Sequence, residues 1–175
     1  ETDAHERRSC LVDAGLGMNP LADPERTLAD AIDDPPRGSG VLAAREAVKR
    51  MSTARGGKGG AIVNLASAAS KHGSPGEFVD YAASKGAIDV FTHGLAKEVA
   101  TEGIRVNTIQ PGIFNTPAFD RAPPEMIKAL DAMVPFPQRM GYPQEYASMA
   151  LEIVRNGYVN GETIRLDGAI RMQPR

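Results

Sequence analysis

The pentapeptide YAASK places Tyr81 and Lys85 one helical turn apart, downstream of Ser67, which closes the apolar run AIVNLAS. Residues at i and i+4 share a helix face. An ammonium held beside a phenol favours loss of the phenolic proton, which would make Tyr81 usable as a general acid or base. A hydroxyl at Ser67 can donate a hydrogen bond to a substrate oxygen at the same point. The trio could then polarise and protonate a carbonyl that accepts a hydride, or run the same step backwards on an alcohol. Each residue also has an ordinary use. Tyr–Lys pairs at this spacing are common on amphipathic helices, and serines are common after strands. Order gives the trio its weight: buried strand, serine, loop, helix bearing Tyr81 and Lys85, buried strand, then Pro111–Gly112.

The elements that must position these groups follow from hydrophobic periodicity. VLAAREAVKRM predicts a short helix with Leu42, Ala43, Ala47 and Met51 inward. ARGGKGG reads as a glycine-rich surface turn, and AIVNLAS as a strand buried on both faces. A long helix should start near Asp80 or Tyr81 and end at Glu102–Gly103, with Ile88, Phe91, Leu95 and Val99 as its inward stripe. IRVNTIQPG predicts a second strand. PPEMIKALDAM and PQEYASMALEIVRN predict two further helices, the latter with Tyr146, Met149, Ala150 and Ile153 on one face. Strands are expected at 60–65, 105–109 and 162–166, with another near 10–14 in SCLVDAG, which could end at Gly15. LADPERTLADAIDD could form a helix with Asp23 as its cap and Pro24 in its first turn, before DPPRGSG breaks regular structure. The alternation predicts an α/β fold, one domain over 1–175, with helices on both faces of a parallel sheet. Ligands bind such sheets outside the C-terminal strand ends, where Ser67 and Pro111–Gly112 fall.

The segments AIVNLASAAS and VDYAASKGAIDVFTHGLAKEVATEGIRVNTIQPGIFNT, in that order, closely resemble the short-chain dehydrogenase/reductase family, a likeness running from about Val41 to the end. The resemblance implies a Rossmann-like sheet and a hydride carrier, NAD or NADP. It implies that Ser67 orients substrate, that Tyr81 is the acid/base and also a cofactor contact, and that Lys85 bonds the nicotinamide ribose and assists the tyrosine. Pro111, Gly112 and Ile113 match the backbone that receives the nicotinamide ring, and Thr116 matches a hydroxyl that contacts the cofactor. Asn107 matches a structural hydrogen-bonder. The tail, ending LDGAIRMQP, resembles the type II 3-hydroxyacyl-CoA dehydrogenases of the family. The middle segment is more like the sugar and polyol dehydrogenase branch. The family's oligomers pair the long helix and the last helix–strand unit, which implies a homodimer or homotetramer.

The N-terminal region departs from the family. A phosphate-cradling glycine turn should follow a strand. Gly15–Gly17 runs into Pro20, and ARGGKGG precedes its strand. Pro36 falls near the place of a catalytic asparagine and supplies neither a side-chain amide nor an N–H. The sheet is therefore expected without the family's first strands. Two readings follow: an oxidoreductase acting on a secondary alcohol or ketone, or an inactive family remnant that serves as an oligomeric scaffold.

Bulk properties narrow the setting. Twenty basic against 22 acidic side chains leave a net charge of −2, which offers nucleic acid no broad basic face. No apolar run approaches the roughly 20 residues that cross a bilayer. The single cysteine, Cys10, excludes an internal disulfide and suits the cytoplasm. Three scattered histidines do not make a metal site; His72 could line a pocket, His93 could pack or sit at an interface, and His5 lies near the start.

Overall fold

Two side-chain periodicities build this molecule, two residues in the strands and 3.6 in the helices. The computed structural model describes residues 9–13, 39–75 and 79–170. Its strands are β1 (Ser9–Asp13), β2 (Gly60–Leu65), β3 (Ile104–Pro111) and β4 (Thr163–Leu166). Its helices are α1 (Ser39–Met51), α2 (Ala69–His72), α3 (Val79–Glu98), α4 (Pro124–Ala132) and α5 (Pro143–Arg155). The four strands pair in sequence order, all parallel. The segment expected near 10–14 is thus a strand, pairing from Ser9 with Ala61 to Asp13 with Leu65.

Alternation along β2 and β3 sends their side chains to two different cores. Ile62, Ile104 and Val106 pack with Ala43, Ala47 and Met51 of α1, with Ala96 of α3, and with Val99. Val63 and Ile109 point the other way, onto Ala150 and Ile153 of α5, with Tyr146 and Met149 at the margin. Helices therefore cover both faces, as the alternation of elements predicts. On the α5 side, Arg105 donates to the carbonyls of Ile153, Val154 and Val159 at 2.7–2.9 Å and so caps the end of α5. Asn107 donates to the Val159 carbonyl and accepts the Glu162 N–H, the structural use expected of it.

The inward stripe of α3 differs from the sequence expectation. Ala82, Lys85, Asp89, Thr92 and Ala96 are buried, whereas Ile88, Phe91 and Leu95 lie half-buried on a flank. The reason is the face of the sheet beneath it. Towards their C-terminal ends the strands present Asn64, Thr108 and Gln110, all buried. Asn64 donates to Thr92 Oγ1 at 2.7 Å, and the Thr92 and Thr108 hydroxyls meet at 2.6 Å. Polar groups on the sheet demand polar partners on the helix, so the interface grades from apolar near Ile104 to polar near Gln110. The helix itself ends at Glu98. A 3-10 turn over Ala100–Glu102 carries the chain to Gly103, whose left-handed backbone terminates it where a C-cap is expected.

ARGGKGG is a turn at the N-terminal edge of the sheet. A Cβ on Gly57 would lie 2.4 Å from the Met51 backbone, and one on Gly59 would meet the Gly103 carbonyl at 2.4 Å. These glycines permit close chain approach and stand at the end of the sheet opposite Ser67. Helix α1 begins at Ser39, so Gly40 opens it rather than breaking it. The expectations for His5, Gly15–Gly17, the Asp23-capped helix and Pro36 lie outside the described residues.

Candidate active site

Lys85 joins two elements. It sits one turn beyond Tyr81 on α3, is 2% exposed, and reaches across to the sheet, where its Nζ donates to the Leu65 carbonyl at 3.1 Å. The same Nζ lies 5.7 Å from the centroid of the Tyr81 ring. Tyr81 and Lys85 thus share one environment, at the C-terminal end of β2. Ser67 stands two residues beyond Leu65, half-buried, and its Oγ accepts the Ala69 N–H at 3.1 Å. That contact spans the turn that leads into α2. The turn is also stitched to β3, because the Ala66 and Ala68 N–H groups donate to the Ile109 and Pro111 carbonyls at 3.0 and 3.3 Å.

The second strand end is equally constrained. Gly112 donates its N–H to the Leu166 carbonyl at 2.9 Å, and a Cβ there would come within 2.8 Å of Asp167 Cα. Only glycine lets β3 exit so close to β4. The Ile113 carbonyl accepts the Gly141 N–H at 2.9 Å, and Thr116 opens the 3-10 turn Pro117–Phe119. The Phe114 ring packs on Gly141 and meets Tyr146 edge-on at 6.0 Å. Ile113, Phe114, Val134, Pro137, Arg139 and Asp167 help to line a cavity of about 210 Å³ beside this exit.

One wall of that cavity is an ion pair. Arg139 grips Glu145 through two bonds of 2.9 and 2.8 Å, and the Tyr142 N–H adds a third at 2.7 Å. The Arg139 guanidinium foremost, then the Tyr142 N–H, lowers the Glu145 carboxyl from 4.5 to about 2. A lowered folded-state value adds stability above the unfolded value that is lost as pH falls through the folded one. Thermal melts of wild type and Glu145→Gln should therefore differ at pH 7, with the variant melting lower. The gap should close as pH falls from 4.5 to about 2.

Sequence reasoning pointed to Ser67, Tyr81, Lys85 and the Pro111–Thr116 exit, and the structure brings Tyr81 and Lys85 together; it did not point to Asp89, Ser70 and Gln110, which bond one another beside them. The available signals were a carboxylate one turn beyond Lys85 and a polar residue immediately before Pro111. His93 contacts the Gly161 carbonyl at 2.5 Å and packs α3 against the approach to β4. Among the described residues no helix is long and apolar enough to cross a membrane, and no cluster of three or more His, Cys, Asp or Glu side chains is suited to a metal.

Residues 30–170 match the family model described as Enoyl-(Acyl carrier protein) reductase. The chain belongs to the short-chain dehydrogenase/reductase family. Mouse 3-hydroxyacyl-CoA dehydrogenase type-2 is 49% identical over 120 residues, which are 69% of this chain and 46% of that protein. Crystalline 3-hydroxyacyl-CoA dehydrogenase type-2 from Mycobacterium avium matches 94% of the chain and 68% of its own, with a TM-score of 0.71 and 31% identity. L-sorbose reductase from Gluconobacter frateurii, solved with NADPH and L-sorbose, matches 94% and 66%, with a TM-score of 0.73 and 26% identity. The chain spans about half the length of the curated short-chain dehydrogenases it matches.

Proposed function

We propose that this chain carries the catalytic groups of an NAD- or NADP-dependent oxidoreductase, acting between a secondary alcohol and its ketone, with 3-hydroxyacyl-CoA as the first substrate class. The observation that carries the reading is the buried Lys85, held by the Leu65 carbonyl and set 5.7 Å from the Tyr81 ring. Burying an ammonium is costly unless partners compensate it. Spending that cost at the C-terminal strand ends, beside a tyrosine, suits a site better than a core.

The chain's residues fit the nicotinamide end of such a cofactor. Lys85 offers a buried cationic donor for ribose hydroxyls. The constrained exit at Pro111, Gly112 and Ile113 offers backbone for the ring, and Thr116 offers a hydroxyl beside it. The bound dinucleotide would supply the hydride acceptor or donor. Ser67 would orient the substrate oxygen, and Tyr81 would give or take its proton. The relatives support the substrate order by identity: the mouse and Mycobacterium avium 3-hydroxyacyl-CoA dehydrogenases are 49% and 31% identical, and the sugar reductase 26%.

The same reading includes a reducing, cytoplasmic setting, in keeping with the single Cys10. It also includes self-association as a homodimer or homotetramer. Val79 and Val90 are 60% and 74% exposed on α3, and Ile88, Phe91 and Leu95 lie half-buried on its other flank. That apolar surface equally favours the scaffold reading, which turnover decides.

The test is titration of the purified chain with NADH and NADPH, read by fluorescence and heat, followed by turnover with acetoacetyl-CoA and with L-sorbose. Saturable dinucleotide binding and oxidation of the nucleotide by the acyl-CoA support the reading. No signal at millimolar dinucleotide rejects it for this chain. Binding with turnover of sorbose alone moves the substrate class to sugars.

A further inference from the structure

We infer that Asp89 is a positioning residue, whose carboxylate locks the Ser67 turn and the end of β3 onto the helix that carries Tyr81 and Lys85. The inference rests on the oxidoreductase reading of those residues. Asp89 is 5% exposed and belongs to no step of the proposed proton transfer. Its Oδ2 accepts from Ser70 Oγ at 2.9 Å and from Gln110 Nε2 at 2.6 Å. Gln110 Nε2 also donates to Ser70 Oγ at 2.7 Å, which closes a three-membered ring of contacts. Lys71, on the solvent side, sets its Nζ 3.6 Å from the same carboxylate oxygen.

What each partner is attached to gives the cluster its meaning. Ser70 belongs to α2, the turn that Ser67 opens. Gln110 directly precedes Pro111 and Gly112. Asp89 sits one turn beyond Lys85 on α3. Three separate segments each carry part of the proposed site, and one buried carboxylate is bonded to two of them from the third. Apolar side chains could pack the same three segments, but dispersion contacts are non-directional and let surfaces slide. Hydrogen bonds to a carboxylate fix position as well as proximity.

Stability alone does not account for the arrangement. Asp89 Oδ1 and Gln110 Oε1 are both buried and find no donor among the described residues. A buried acceptor without a donor costs stability. The hold of α3 on the sheet has an independent source one turn further on, in the Thr92, Asn64 and Thr108 contacts. Loss of Asp89 should therefore loosen the site end of α3 and leave its remainder docked.

The test reverses the polarity of the cluster. Asp89→Asn sets an amide against the Gln110 amide, and Gln110→Glu sets two carboxylates together. The double variant restores one donor facing one acceptor. Two readouts are taken on the full chain: kcat and KM, and amide hydrogen exchange at Ala68 and Gly112, which bond the Pro111 and Leu166 carbonyls. Each single variant should lower kcat about 10- to 100-fold with little change in KM, the size expected of small misplacement. Exchange at Ala68 and Gly112 should rise about tenfold while Val106 and Thr92 keep their protection. The double variant should recover most of both effects. A uniform rise in exchange with kcat unchanged would mean a purely structural carboxylate and overturn the inference, as would a double variant no better than the singles. If the wild-type chain turns nothing over, the oxidoreductase reading falls for this chain, and the exchange arm still decides whether Asp89 positions the two segments.

Discussion

Tyr81→Phe should reduce turnover of the ketone by about 100- to 10,000-fold, the range that one positioned acid/base group contributes. Melting temperature and dinucleotide affinity should stay close to wild type. The asymmetry follows from what the substitution keeps. Phenylalanine preserves the ring and therefore the aromatic face that lies 5.7 Å from Lys85 Nζ. A cation held over an aromatic face retains its attraction when the hydroxyl is gone. Ser84 Oγ donates to the Tyr81 carbonyl, not to its side chain, so the backbone of the first turns is untouched. Only the hydroxyl, with its exchangeable proton, is lost. Lys85→Met supplies the contrast. It keeps the apolar stem along the buried path but removes the donor to the Leu65 carbonyl and the cation itself. Turnover and dinucleotide affinity should then fall together, and the Leu65 carbonyl loses a partner. Steady-state kinetics and nucleotide titration of both variants decide the matter. A Tyr81→Phe chain that retains turnover within threefold of wild type would remove Tyr81 as the proton donor.

The candidate site could be proposed from the sequence because its residue types ride on local spacing. Tyr81 and Lys85 need only one helix to meet, and Ser67 and Pro111–Gly112 need only to end two neighbouring strands. Such features follow from periodicity and from the rule that parallel sheets bind ligands at their C-terminal edges. Strand positions were readable for a related reason. Ala61, Ile62 and Val63 are buried in succession, and a continuous apolar run is the signature of a strand covered on both faces. The orientation of α3 was not readable. Ile88, Phe91 and Leu95 make the better apolar stripe, yet the helix turns Lys85, Asp89 and Thr92 inward. That choice depends on Asn64, Thr108 and Gln110, which lie at long sequence separation. Their side-chain directions become known only once the sheet register is fixed. Buried polar pairings are satisfied by tertiary contacts, and no window along one segment contains both halves. The bonds that Arg105 and Asn107 make as caps on the α5 side had partners hidden in the same way, although a structural hydrogen-bonding role was expected of Asn107.

Asn107→Leu should cost about 2 to 3 kcal/mol in urea unfolding, the scale of a buried amide replaced with one backbone partner orphaned. The side chain is fully buried and bonds outward in two directions, to the Val159 carbonyl at 3.0 Å and from the Glu162 N–H at 3.0 Å. Leucine fills the volume and can do neither. Arg105→Met should cost a similar amount, because the Ile153 and Val154 carbonyls at the end of α5, and the Val159 carbonyl beyond it, lose a charged donor. The informative measurement is the pair. Both side chains donate to the Val159 carbonyl, at 2.7 Å from Arg105 and 3.0 Å from Asn107. Either single variant leaves that oxygen one of these donors, and only the double variant removes both. Independent sites add, whereas groups with a shared partner couple. The double variant should therefore lose about 0.5 to 1 kcal/mol more than the sum of the singles. Strict additivity would mean that the two residues hold the Val159–Glu162 segment separately. The effect should also reach the site, since that segment seats β4 through Glu162 and Thr108, and the Leu166 carbonyl of β4 holds Gly112 in place. Amide exchange at Gly112 should rise in the double variant in proportion to the lost stability. A Gly112 unaffected by the loss of both caps would separate the seat of β4 from the geometry of the β3 exit.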